Sequence, residues 1–154
     1  MKLLYIADRE AFRELGRPIS FDKYYSMDHD PVLSRTYDIM NGAIQDGGYW
    51  SAMIAPRFEY KLSITDESEV SFDALSEAEL AIVDRVYSEF GHVPRFSLCR
   101  VTHSFGEWED PHGSSIPMSY ESVLRGVGYS QEEAAASLEY IKEQQALSDF
   151  LETA

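Results

Sequence analysis

Lys2-Leu3-Leu4-Tyr5-Ile6-Ala7-Asp8-Arg9-Glu10-Ala11-Phe12-Arg13-Glu14-Leu15-Gly16-Arg17-Pro18 opens the chain with a helical pattern that closes on a glycine and a proline. Its residues Leu3, Leu4, Ala7, Ala11, Phe12 and Leu15 recur three and four apart, the spacing that lines one face of an α-helix. Gly16 stands where a helix takes a left-handed terminal residue. Pro18 prevents continuation. The pattern therefore predicts a helix over 1–15. Its first turn is apolar and nothing caps it. A helix that opens this way often continues upstream, so an upstream N-terminal helix is expected to be missing.

Residues 19–30 read as irregular or extended. Asp30-Pro31 has the chemistry of an acidic N-cap followed by proline at the first helical position. The predicted helix buries Val32, Leu33, Tyr37, Met40 and Ile44, and Asp46-Gly47-Gly48 ends it. Phe58, Tyr60, Leu62 and Ile64 alternate with Glu59, Lys61 and Ser63, the period of a strand. Residues 49–54 are its expected partner, with Ala55-Pro56-Arg57 as the turn. This predicts a small antiparallel hairpin over 49–64. It must pack on helices, because two strands alone are marginal.

Residues 65–75 read as an acidic loop. Ser76 and Glu79 have capping-box spacing, and so do Ser130 and Glu133. The first box predicts a helix with Leu80, Val83, Val86, Tyr87 and Phe90 on one face, closed by Gly91. A shorter helix follows Pro94 as far as 102 or 104. Residues 105–117 read as a loop holding Trp108. Ser119 caps a short helix ending near Gly126. The last helix buries Ala134, Leu138, Ile141, Gln145 and Leu151. The expected fold class is mainly α: one compact helical domain over 1–154 with one small hairpin.

The chain has 154 residues, 27 acids against 13 bases and a formal charge of −14. Such a surface repels DNA, RNA and anionic membrane. No apolar run reaches the ~18–20 residues that span a bilayer. Cys99 is the single cysteine, so no intrachain disulfide forms, which fits a reducing cytoplasm. Neither a nucleic-acid nor a membrane partner is expected, and the expected location is cytoplasmic.

Candidate chemistry is sparse. His29, His92, His103, His112 and Cys99 lack the close pairing of a structural zinc site. His103 and Ser104, with Glu107, Glu109 and Asp110 nearby, suggest a hydrolytic constellation, but no Gly-x-Ser-x-Gly elbow accompanies them. Cys99, in an apolar stretch, reads as a buried structural thiol. Gly126-Val127-Gly128 lacks the lysine and strand–glycine–helix context of a phosphate loop. No cofactor, metal or catalytic residue is expected.

The acidity is uneven. Residues 66–84 hold Asp66, Glu67, Glu69, Asp73, Glu77, Glu79 and Asp84 and no base. From Glu107 onward ten acids face only Arg125 and Lys142. One reading is a solvated surface with carboxylates favouring helix N-termini. The other is a surface complementary to a basic protein. Tyr24, Tyr25, Tyr49, Trp50 and Trp108 lie in or beside expected loops, and such aromatics are enriched at interfaces. They serve equally well as packing under loops. The candidates for partner contact are thus Tyr24, Tyr25, His29, Tyr49, Trp50, Asp66, Glu67, Glu69, Asp73 and Trp108.

Three runs, Lys2 to Arg9, Gly16-Arg17-Pro18-Ile19 and His29-Asp30-Pro31-Val32, together resemble the Panacea domain of SocA-like antitoxins, also known as phage-associated proteins. Thr102-His103 with the following Trp108 is similar to a later element of that family. The likeness extends from residue 2 to about 128. Two departures stand out: Asp30 replaces the family's usual glycine, and the family carries a helical segment before the first motif. The resemblance implies an antitoxin that neutralises a cognate toxin protein by direct binding in a bacterial or phage-infected cytoplasm. It also allows a proteolytic adaptor that delivers the toxin to a protease complex. It implies no catalytic role for Tyr5, Asp8, Arg9, Gly16, Arg17, Pro18, Pro31, Val32, Thr102 or His103, which hold the fold or touch the partner. A hydrolase using His103 and a DNA-mimicking inhibitor remain competing classes. Self-association is a further expectation, since a missing helix exposes part of the stripe Leu3, Leu4 and Ala7.

Overall fold

In a computed structural model of the chain, helix α1 (Lys2–Leu15) is buried on nearly every side, through Tyr5, Ile6, Ala7, Asp8, Arg9, Ala11 and Phe12. A helix buried all round belongs in the middle of a fold, even when it carries charge. The structure describes residues 1–44, 48–59, 61–65 and 71–153, without the side chains of 148, 149 and 151–153. Gly16 ends α1 in the left-handed conformation at φ 69°, its amide bonded to the Phe12 carbonyl. That is the terminus the sequence predicts.

Around α1 lie β1 (Tyr24–Met27), β2 (Pro31–Leu33), α2 (Ser34–Met40), α3 (Tyr49–Met53), α4 (Glu77–Phe90), α5 (Arg95–His103), β3 (Ser115–Met118), α6 (Tyr120–Gly126) and α7 (Gln131–Thr153). One side of α1 gives Tyr5 and Phe12 to a core with Tyr24, Leu33, Met118, Val123, Leu124, Ala134 and Ile141. The other gives Ile6, Ala7 and Ala11 to a second cluster with Ile82, Val86 and Leu98. The sheet, α6 and α7 thus pack on one side, and α4 and α5 on the other.

The sheet corrects the sequence reading. It has three strands in the order β2-β1-β3, both pairings antiparallel. Tyr24 faces Leu33 on one neighbour and Met118 on the other. Pro31 and Pro117 both lie on edge strands, where a missing amide costs least. The expected hairpin over 49–64 does not form. Tyr49–Met53 is helical, and among the described residues the segment makes only the isolated bridges Ile54–Ile64 and Phe58–Lys61. A strand needs a neighbour, and residues 49–53 coil instead of extending. Tyr60, Asp46, Gly47 and residues 66–70 of the acidic loop fall outside the described residues.

Asp30-Pro31 also behaves differently from its local reading. Met27 and Asp30 exchange backbone hydrogen bonds, closing the β1–β2 turn. Asp30 pairs with Lys2 at 2.6 Å, and Pro31 starts β2 rather than a helix. Helix α2 begins at Ser34 and is capped from a distance. The Asp22 carboxylate accepts the Arg35 and Thr36 amides at 2.9 Å each. Tyr37 and Ile44, expected inside, are exposed. In α4 the buried face is Glu79, Ile82 and Val86, while Val83 and Tyr87 are exposed. Both capping boxes form: Ser76 with Glu79, and Ser130 with Glu133. Ser119 caps α6 through the Ser122 amide. Helix α7 buries Ala134 and Ile141 as expected; the Leu151 side chain lies outside the description.

Phe12 is fully buried and edge-packed on Tyr120 at 5.2 Å. Phe12→Ala should lower the unfolding free energy by about 3–5 kcal/mol. Val83→Ala, on the open side of α4, should change it by less than about 0.5 kcal/mol. Urea denaturation followed by circular dichroism reads both.

Candidate functional site

The residues shared by the three motif runs converge on α1. Asp8 is its polar hub. One carboxylate oxygen accepts the amides of Ile19 and Ser20 at 2.9 Å each. The other accepts the Tyr24 hydroxyl at 2.7 Å and the Ser20 hydroxyl. The sequence arranges this locally. Gly16 reverses the chain, and the buried Pro18 keeps it from coiling. The segment then runs back over α1 and presents its amides. Burial pushes the Asp8 carboxyl above its ordinary value, and the hydrogen bonds from Ser20, Tyr24 and Ile19 act the other way. Burial, with Asp8 beside it, also raises the Tyr24 hydroxyl.

Arg17 binds the same turn to α4. Its guanidinium donates to the Pro18 carbonyl at 3.2 Å and to Glu79 at 2.7 Å. Glu79 is also the capping-box residue, receiving the Ser76 amide at 2.8 Å. Burial alone would raise the Glu79 carboxyl, but the Ser76 amide and hydroxyl and the Arg17 cation bring it below its ordinary 4.5.

Next to Asp8 on α1, Arg9 meets Glu107. The pair is 2.6 Å apart, with side-chain exposures of 7% and 0%. Arg9 also donates to the Gly126 carbonyl at 3.1 Å and lies 3.9 Å above the Phe105 ring. The Tyr5 hydroxyl donates to Glu107 at 2.8 Å. Burial first, then Glu107, raises that hydroxyl. Gly126 is demanded here by close approach, since a Cβ on it would meet the Glu107 carboxylate at 2.1 Å. No local signal in Gly126-Val127-Gly128 marks this contact.

The later motif lies on α5 and the loop after it. Thr102 is fully buried and its hydroxyl donates to the Cys99 carbonyl at 3.0 Å. His103 stacks on Trp108, ring centroids 3.8 Å apart and 12° from parallel. Among the described residues, His103 Nε2 and Trp108 Nε1 are buried without a hydrogen-bond partner. Ser104 donates to the Val101 carbonyl, and Glu107 is committed to Arg9 and Tyr5. The described residues therefore form no nucleophile–base pair at His103. Burial pushes the Cys99 thiol up, and the Asp30 charge adds to it, so the thiolate is disfavoured. No group of three or more metal-ligating side chains gathers among the described residues. No described helix is long and apolar enough to cross a membrane.

The partner-contact candidates separate by position. Tyr24 is core. Tyr25, Trp50 and Trp108 are half-buried, while His29, Tyr49 and Asp73 are exposed. Asp66, Glu67 and Glu69 lie outside the described residues. Pro31 and Val32 are buried in β2. A surface cleft of about 690 Å³ between α2 and α3 includes Ile39, Met40, Trp50 and Leu62. A larger one of about 1230 Å³ includes Arg17, Lys23, Arg35, Asp73 and Tyr140.

Residues 1–109 match the family model described as antitoxin SocA-like, Panacea domain. That match stops short of the 2–128 span of the motif likeness. No curated protein and no solved structure matches the chain.

Removing one partner of a buried ion pair leaves the other charge uncompensated, so Glu107→Ala should cost about 3–5 kcal/mol in a denaturant titration. Glu79 gives a pH signature. A lowered carboxyl contributes stability above its unfolded value of 4.5, and that contribution is lost as pH falls through the folded value. The wild type should therefore be more stable than Glu79→Gln at pH 7, and the gap should close under strong acid. Thermal melts of both proteins across that range check the sign.

Proposed function

The chain belongs to the antitoxin SocA-like, Panacea domain family, and from that premise we propose that it is the antitoxin of a toxin–antitoxin pair. It neutralises a cognate toxin protein by direct contact, without catalysis, in a bacterial or phage-infected cytoplasm. The family match over residues 1–109 carries this reading. The direction in which the motif residues point adds to it. Tyr5, Asp8, Arg9 and Arg17 spend their polar groups inside the molecule. Recognition then falls to the outer surface, through exposed residues such as His29, Tyr49 and Asp73, with Tyr25, Trp50 and Trp108 beside them. The excess of acids there steers encounter with a basic protein and discriminates against acidic ones.

The gene beside this one should encode a toxic protein. Coexpression should restore growth, and the two products should copurify. Failure of both with every neighbouring gene contradicts the proposal. The toxin's half-life in the cell separates neutralisation by binding from delivery to a protease: binding leaves it unshortened.

A further inference from the structure

Helix α4 carries a wider apolar stripe than the fold covers. Its residues Ile82 and Val86 enter the cluster with Ile6, Ala7, Ala11 and Leu98. Leu80, Val83 and Tyr87 stand at i, i+3 and i+7, on the adjoining face by helical geometry. Leu80 is half-buried, and Val83 and Tyr87 are 37% and 58% exposed. The Tyr87 ring is steadied edge-on by His92 at 6.0 Å. From Leu80 to Tyr87 the stripe runs about 10 Å along the helix axis, two turns.

The outer border of the stripe carries acids and no base. Glu77 and Asp84, seven apart, lie along its outer side, and neither has an ion-pair partner among the described residues. Arg85 is the helix's sole base and is held by Glu14 of α1. A second copy of the chain is a poor occupant, because pairing α4 on α4 sets these acids against each other between molecules of charge −14. An amphipathic helix with apolar anchors at matching spacing and Lys or Arg beside them satisfies both parts of the surface.

We propose that the Leu80–Val83–Tyr87 stripe of α4 docks a basic amphipathic α-helix of the toxin. The proposal rests on the antitoxin reading and names the chemistry of the partner at one face. Its probe is a synthetic Leu/Lys amphipathic helix, titrated into the isotopically labelled full chain and followed by NMR. Shifts should centre on residues 77–87 and weaken with salt, and a Leu/Glu counterpart should produce none. Val83→Glu and Tyr87→Glu should each weaken binding about tenfold or more, with melting temperatures near wild type. Asp84→Lys, which leaves the apolar stripe intact, should weaken it too. Shifts centred elsewhere, or variants that bind like the wild type, overturn the proposal. So does a concentration-dependent dimer in sedimentation that Val83→Glu abolishes, since it names a second copy as the occupant. Coexpression with the neighbouring toxin separates the two claims. If Val83→Glu and Tyr87→Glu protect as well as wild type, the docking face is wrong and the antitoxin reading stands. If the wild type protects against no neighbour, the antitoxin reading fails, while the peptide titration still decides whether α4 takes a basic helix.

Discussion

Taking a guanidinium and a carboxylate out of water costs several kcal/mol per ion unless each is matched and its remaining hydrogen bonds are met. Arg9 and Glu107 meet that demand, and much of the structure follows from how they do so. Arg9 needs a carbonyl, which Gly126 supplies from the end of α6. Its flat face needs a ring, which Phe105 supplies. Glu107 needs a second donor, which is Tyr5. These contacts pin the first helix to a loop 98 residues away and to α6 beyond it. The approach is so close that residue 126 admits no side chain. The pair also joins the two ends of the segment that matches the antitoxin family, since residue 9 lies near its start and residue 107 near its close.

Asp8 plays the complementary local part. Its acceptor oxygens gather the returning chain at Ile19 and Ser20 and the hydroxyl of the central strand's Tyr24. Gly16 and Pro18 make that return possible, and Arg17 extends it to Glu79 at the start of α4. The motif residues of α1 are therefore joints between elements. They order the scaffold on which exposed loops and helix faces are displayed.

Features specified by near neighbours in the chain were legible in the sequence. Helix α1 with its Gly16 terminus, both capping boxes, α5 after Pro94 and α6 after Ser119 all rest on spacings of four residues or fewer. Features specified across the chain were not. The alternation in residues 58–64 meets the period of a strand, but Tyr49–Met53 coils, so its pairing is reduced to isolated bridges such as Ile54–Ile64. Asp30-Pro31 has the chemistry of a helix start, yet the turn with Met27 and the pairing with β1 prevail. The real cap of α2 is Asp22, twelve or more residues away from the amides it binds, and spacing cannot signal that. Glu107 was visible only as one acid among several beside His103; its pairing with Arg9 takes it out of any catalytic arrangement there. On α4 the expected face of Leu80, Val83, Val86, Tyr87 and Phe90 is turned from the buried one, Glu79, Ile82 and Val86, so the fold covers only part of it. The residues left outside, Val83 and Tyr87, became informative for that reason.

A scaffold with its motif residues turned inward, acids in excess on the surface and part of an apolar stripe uncovered fits a protein that works by holding another protein. Such a protein must bind its partner directly, with no third component. Titration calorimetry of this chain against the purified product of the neighbouring gene proposed as the toxin tests it most simply. The account predicts saturable binding from the two components alone, weakened by salt. No detectable heat of binding, with a toxin against which this chain protects cells, would contradict it.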